Sequence, residues 1–207
     1  HTASRSSLLK VGDWVAAAVR ARGKKATIHA LLPRKNSFSR KIAGEITEEQ
    51  IIAANIDTFF IVSGLGGDSN IRRIERYLIL TRDSGVSPVI LLNNTDICPE
   101  VQGCNEKAET AAFGVPIHPI SAKQNEGLHI LQKYLSKGKT VVLLGSSGVG
   151  KSTIINSLLG VESQPVNSVR ETDSHGRHTI VDRELIILPN GGMIIDNPGV
   201  REIQVWG

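Results

Sequence analysis

The chain has 207 residues, with 24 Lys and Arg against 20 Asp and Glu for a formal charge of +4, and 40% of its residues are apolar. That composition excludes a disordered or collagenous chain and suffices for one good core plus a smaller second one. The positive balance is local: residues 1–50 hold 10 basic and 4 acidic side chains and residues 51–207 hold 14 and 16, so a polyanion-binding module joined to a near-neutral body is expected.

No apolar run approaches the roughly 18 residues of a membrane helix. Lys10, Asp13 and Trp14 interrupt the first 20 residues, so no cleavable secretion signal is expected either. The two cysteines, Cys98 and Cys104, are too few for a disulfide framework or a four-ligand zinc site, which fits a reducing cytoplasm and inert thiols. Between Trp14 and Gly44 there is no acidic residue, while Arg20, Arg22, Lys24, Lys25, Arg34, Lys35, Arg40 and Lys41 supply eight positive charges. Strand-like runs at 14–19 and 27–32, broken by turns around Gly23 and at 33–37, predict a small barrel. Its basic residues are expected to contact RNA phosphates, with binding that weakens steeply in salt. Trp14 and Phe38 are its only aromatics, so little base stacking is expected, and Trp14 reads as a core residue.

From residue 52 onward the pattern alternates: strand at 58–63, helix at 71–82, strand at 88–92, helix at 105–113, strand at 116–120, helix at 126–135, strand at 140–144, and a helix opening near Lys151. This alternation predicts an α/β fold with a mainly parallel sheet covered on both faces. Two further strands, 183–188 and 193–195, are joined by a turn at 189–192.

Three motifs fall at strand ends. Gly145, Ser146, Ser147, Gly148, Val149, Gly150, Lys151 and Ser152 match G-x-x-x-x-G-K-[ST] between a strand and a helix that continues from Thr153. Such a loop curls backbone N–H groups around phosphates, Lys151 can reach the terminal phosphates, and Ser152 can hold Mg²⁺. Asn93, Asn94, Thr95 and Asp96 follow one strand, and Ser121, Ala122 and Lys123 follow the next; an Asp placed as Asp96 is can accept two hydrogen bonds from a guanine edge, which adenine does not offer. Asp196 and Gly199, in Asp-Asn-Pro-Gly, follow the last strand, where a nucleotide hydrolase places a metal carboxylate and a glycine facing the terminal phosphate. Thr179 is the candidate switch threonine, giving Ser152, Thr179 and Asp196 as the expected Mg²⁺ set.

These motifs resemble those of translation-factor-class GTPases, but they run base reader, Ser-Ala-Lys, phosphate loop, switch, Asp-x-x-Gly. A circular permutation produces that order without disturbing the spatial site. Together with Val11-Gly12-Asp13-Trp14-Val15, Leu32-Pro33-Arg34-Lys35-Asn36, Ala54-Asn55-Ile56-Asp57 and Gly199-Val200-Arg201-Glu202, the set is similar to the ribosome small-subunit-dependent GTPase A (RsgA) family, from Val11 to Trp206. The resemblance implies an N-terminal OB-fold RNA-binding domain at 1–50 and a circularly permuted GTPase domain at 51–207. It also implies a cytoplasmic GTP hydrolase, stimulated by the small (30S) ribosomal subunit during its late maturation. Expected partners are that subunit and its 16S rRNA, with GTP and GDP as substrate and product, no membrane, and a monomeric state.

Three positions depart from the family pattern: Asn94 stands where the base reader usually has Lys, Ile180 and Val181 follow Thr179 where threonines are usual, and the family's C-terminal zinc domain is not in this chain, so no zinc is expected. Val200 follows Asp-x-x-Gly, and its apolar side chain cannot orient a hydrolytic water. His178, beside Thr179, or a ribosomal group is expected to supply that function. A P-loop ATPase or small-molecule kinase, or an RNA-binding module with a vestigial nucleotide site, are the alternative readings.

Overall fold

The computed structural model describes residues 9–19, 26–42, 48–65, 71–160 and 184–196. The chain enters through antiparallel strands: β1 (Val15–Val19) pairs with β2 (Ala26–Leu31), and β3 (Ser37–Ile42) pairs with β4 (Glu48–Ala54). Among the described residues these are two separate two-stranded sheets. Each has one register shift, between Ala16 and Ala17 and between Phe38 and Ser39, of the kind that sharpens strand twist. β4 runs through position 50, where the sequence reading divides the chain, and ends at Ala54.

The first ribbon is exposed along nearly all of β1 and β2. Trp14 beside it is 57% exposed, which corrects the reading of Trp14 as core; Phe38, at 1%, takes that role. The reason is local. Trp14 adjoins a ribbon exposed along nearly all its length, whereas Phe38 meets the ring of buried Phe59 edge-on at 5.1 Å.

The body is a six-stranded sheet of β5 (Thr58–Gly64), β6 (Pro88–Asn93), β7 (Ile117–Pro119), β8 (Thr140–Leu144), β9 (Glu184–Ile187) and β10 (Met193–Asp196). Its order is β7-β6-β5-β8-β10-β9, and every neighbouring pair is parallel except β9 with β10. β5 and β8 are buried at every residue, as expected of largely apolar strands covered on both faces. The two-residue strand period sorts their side chains. Phe59, Ile61, Ile90, Leu92, Val142 and Leu144 face Ile74 and Tyr77 of α1 (Ile71–Arg82) and Ala108 and Ala112 of α2 (Val101–Ala112). Phe60, Val62, Leu91, Val141 and Leu143 face Ile154 and Ile155 of α3 (Lys151–Leu159) on the other side.

Phe38, Ile52 and Ile56 belong to the first of these clusters, so the N-terminal strands share the core beneath α1 and α2. Each fully buried large apolar side chain there contributes about 1.5–3 kcal/mol.

Two elements differ from the sequence expectation. α2 starts at Val101 instead of 105, with Glu100 as its N-cap residue. The helix expected at 126–135 is a 3₁₀ segment, Leu128–Lys133. Gly127 in the left-handed region cuts off its start, and the three-residue spacing of buried Leu128 and Leu131 suits a 3₁₀ turn. Among the described residues no helix is long and apolar enough to cross a membrane.

Candidate functional site

Because β5, β6, β7, β8 and β10 are parallel, their C-terminal ends gather on one edge of the sheet. Gly64, Asn93, Pro119, Leu144 and Asp196 end these strands, so the motif loops emerge side by side in the crevice where open α/β sheets bind ligands.

The phosphate loop connects β8 to α3, and Ser152 and Thr153 lie in the first turn of α3, where backbone N–H groups have no helical partner. Ser147 and Gly148 are exposed at the tip, while Gly145 and Val149 are buried at the base. Lys151 Nζ donates to the carbonyl oxygens of Gly145 and Ser146, both at 2.8 Å, and so lies over the loop it belongs to. Gly150 has φ +93°, and a Cβ there would collide with the side-chain amide of Asn93. The glycine is required by both conformation and close approach.

Asn93 is itself 1% exposed and works as a brace. Its Nδ2 donates to Val149 O at 2.9 Å, and its Oδ1 accepts from Ala122 N–H at 3.0 Å. One buried amide thereby joins the phosphate loop to the Ser121-Ala122-Lys123 loop. Asn94 adopts the left-handed region, φ 72°, and Thr95 and Asp96 follow in a 3₁₀ turn. Ser121, fully buried, donates from Oγ to Asp96 Oδ1 at 2.8 Å, orienting a carboxylate that keeps capacity to accept more hydrogen bonds. Reciprocal backbone bonds between Ser121 and Glu126 close this loop, and Ser157 Oγ of α3 donates to Ala122 O at 2.9 Å. Lys123 is exposed.

Asp196 lies in register with Leu143 of the adjacent β8, one residue before the strand gives way to the phosphate loop. His178, Thr179 and Gly199 lie outside the described residues. Sequence reasoning missed Arg73, in the first turn of α1, whose Nη1 donates to Ser146 Oγ at 2.9 Å. No motif covers it; its one sequence signal is a basic residue just inside the helix that follows β5. A cavity of about 540 Å³ between α1 and α2, lined by Leu78, Ile79, Pro88 and Phe113, lies toward the opposite edge, where Pro88 opens β6, and takes no part in this site.

The basic N-terminal residues divide. Arg34 Nε and Nη2 form a fork onto Asp13 at 2.7 and 2.8 Å, with side chains only 15% and 1% exposed, so Arg34 is committed to the fold and not to an external polyanion. That fork, opposed by burial and helped by the Lys10 N–H, holds the Asp13 carboxyl below its usual value. Lys35 and Lys139 both pair with Asp57 Oδ1 at 3.1 Å, and Thr140 N–H donates to Asp57 Oδ2. Burial pushes Asp57 upward, but those hydrogen bonds outweigh it and its carboxyl also lies below the usual value. Asn36 exchanges two hydrogen bonds with the backbone of Ile56, and Asn55 bridges Gly12 O and Lys35 N–H. The three N-terminal family segments thus meet in one network where β5 and β8 begin, at the sheet edge opposite the motif loops. Arg20, Arg22, Lys24 and Lys25 lie outside the described residues, as do the side chains of Arg40 and Lys41 on β3.

Residues 31–206 match the family described as RsgA GTPase. The chain belongs to the RsgA GTPase family. It is 43% identical over 215 aligned residues to a small ribosomal subunit biogenesis GTPase RsgA of Opitutus terrae, covering 100% of this chain and 59% of that protein. It is 47% identical to the protein of the same description in Methanosarcina acetivorans, covering 94% and 53%. The chain therefore spans somewhat more than half the length of these RsgA relatives. The crystal structure of YjeQ from Thermotoga maritima superposes with a TM-score of 0.69 at 26% identity, over 94% of this chain and 62% of that one. YloQ, described as a circularly permuted GTPase, shares the fold at a TM-score of 0.62 and 20% identity, over 94% and 58%.

Proposed function

We propose that this chain is a circularly permuted GTPase that hydrolyses GTP to GDP and phosphate in company with the small ribosomal subunit during its maturation, in the cytoplasm. The observation that carries the reading is the Asn93 amide, which ties the phosphate loop to the Ser121-Ala122-Lys123 loop while Ser121 orients Asp96. An ATPase or kinase needs the phosphate loop but has no use for a clamped carboxylate at the neighbouring strand ends. In this reading Gly145 through Thr153 hold the phosphates, and Asn93, Asn94, Thr95, Asp96, Ser121, Ala122 and Lys123 form the guanine pocket. Gly199 faces the terminal phosphate.

The hydroxyl of Ser152 and the carboxylate of Asp196, with Thr179, are hard oxygen donors of the kind that suits Mg²⁺. Bound there, the ion would neutralise charge on the phosphates. His178 orients the hydrolytic water, a role that Val200 cannot fill. The N-terminal unit is an OB-fold whose Arg20, Arg22, Lys24, Lys25, Arg40, Lys41 and exposed Lys35 contact 16S rRNA phosphates, while Arg34 holds the unit together.

The test is phosphate release from GTP, with ATP as control, with and without purified 30S subunits. GTP-selective release that rises on adding subunits is expected. Equal use of ATP overturns the guanine pocket, and GTP turnover indifferent to subunits overturns the ribosomal partner. His178→Ala is expected to abolish the stimulated rate while leaving GDP affinity nearly unchanged.

A further inference from the structure

We infer that Arg73 is a ligand of the terminal phosphate, an arginine the chain supplies to its own reaction; this rests on the GTPase reading above. β5 and β8 are adjacent parallel strands, so the helix leaving β5 and the loop leaving β8 start beside each other. Arg73, in the first turn of α1 and half-buried, reaches across that gap and donates from Nη1 to Ser146 Oγ at 2.9 Å. Ser146 also receives Lys151 on its backbone carbonyl. Two cationic side chains from different elements therefore converge on the second residue of the phosphate loop.

Among the described residues no carboxylate pairs with the Arg73 guanidinium, whose hydrogen-bond partner is the Ser146 hydroxyl. A neutral hydroxyl engages one of the five donors of the guanidinium, whereas a phosphate can take two parallel bonds from its planar fork. In the reaction, the water oxygen bonds to the terminal phosphorus, the bond to the bridging oxygen of GDP breaks with that oxygen keeping the electron pair, and the water's proton leaves with the released phosphate. Arg73 gains and loses no proton. Its N–H groups donate to oxygens whose negative charge grows or shifts as the phosphoryl group transfers, which a positioned cation stabilises. Such charge stabilisation adds to that of Lys151 and is separate from the orientation of the water assigned to His178.

The rival role is a brace that only holds Ser146. Single-turnover GTP hydrolysis, GDP affinity and formation of a GDP complex with aluminium fluoride separate the two in the full 207-residue chain. Arg73→Ala is expected to slow hydrolysis about 100-fold or more and to abolish the fluoride complex, with GDP affinity within about twofold. Arg73→Lys should recover part of the rate. Should Arg73→Ala not fold, as read by its melting temperature, Arg73→Lys and Arg73→Gln carry the same comparison. An unchanged rate, or a parallel fall in GDP and GTP affinity, overturns the inference and leaves the GTPase reading standing. A wild-type chain that binds no GTP overturns both.

Discussion

Replacing Asn93 with Ala removes the one side chain that spans the two ligand loops. The loss is two hydrogen bonds, at 2.9 Å to Val149 O and 3.0 Å from Ala122 N–H, in a place only 1% exposed. Each group left behind is a buried backbone polar atom without a partner, which costs about 1–3 kcal/mol. Together they predict a destabilisation of about 2–5 kcal/mol, or a melting temperature lower by about 5–15 °C for a domain of this size. GDP affinity should fall as well, because Gly150 packs directly on the lost amide. Asn93→Asp supplies the control. It keeps the acceptor for Ala122 but sets an oxygen against Val149 O, so it should destabilise more at pH 8 than at pH 4, where a protonated carboxyl can donate. Urea unfolding at both pH values and fluorescent GDP titration read these effects. Asn93→Ala within about 0.5 kcal/mol of wild type, with unchanged GDP affinity, would refute the bracing role.

Removing the Ser121 hydroxyl in Ser121→Ala frees Asp96 and is expected to weaken GDP binding about fivefold, about 1 kcal/mol, with little change in stability; calorimetric titration checks it. Asp13→Asn breaks a covered fork onto Arg34 and should cost about 3 kcal/mol at pH 7. Because the Asp13 and Asp57 carboxyls lie below their ordinary value of 3.8, the stability they contribute is complete above that pH and lost as pH falls below it. Asp13→Asn should therefore show a shallower acid loss than wild type, and equal slopes would argue against the fork. Burial, with the neighbouring Cys98 at 3.9 Å, raises the Cys104 thiol above its ordinary value, so iodoacetamide at pH 7 should label Cys104 more slowly than free cysteine. Fast labelling would contradict that burial.

The sequence by itself determined the elements whose signal is local. The strands 58–63 and 140–144 and the helix 71–82 were legible because apolar runs and helical spacing are set by burial, and the phosphate loop because its glycines are demanded by backbone conformation. The 3₁₀ segment at Leu128–Lys133 was not, since three-residue and four-residue spacings are alike over so short a run. Only the tertiary structure decided what each polar residue faces. Composition marked Arg34 as one positive charge among eight, yet Asp13, 21 positions earlier in the chain, takes its guanidinium. Asn93 reads as a member of a base-binding tetrapeptide and proves to be a buried brace 56 positions from its acceptor. Arg73 belongs to no motif and reaches a loop 73 positions away, because β5 and β8 are neighbours in the sheet. Side-chain partners across such separations depend on strand order, which periodicity does not encode.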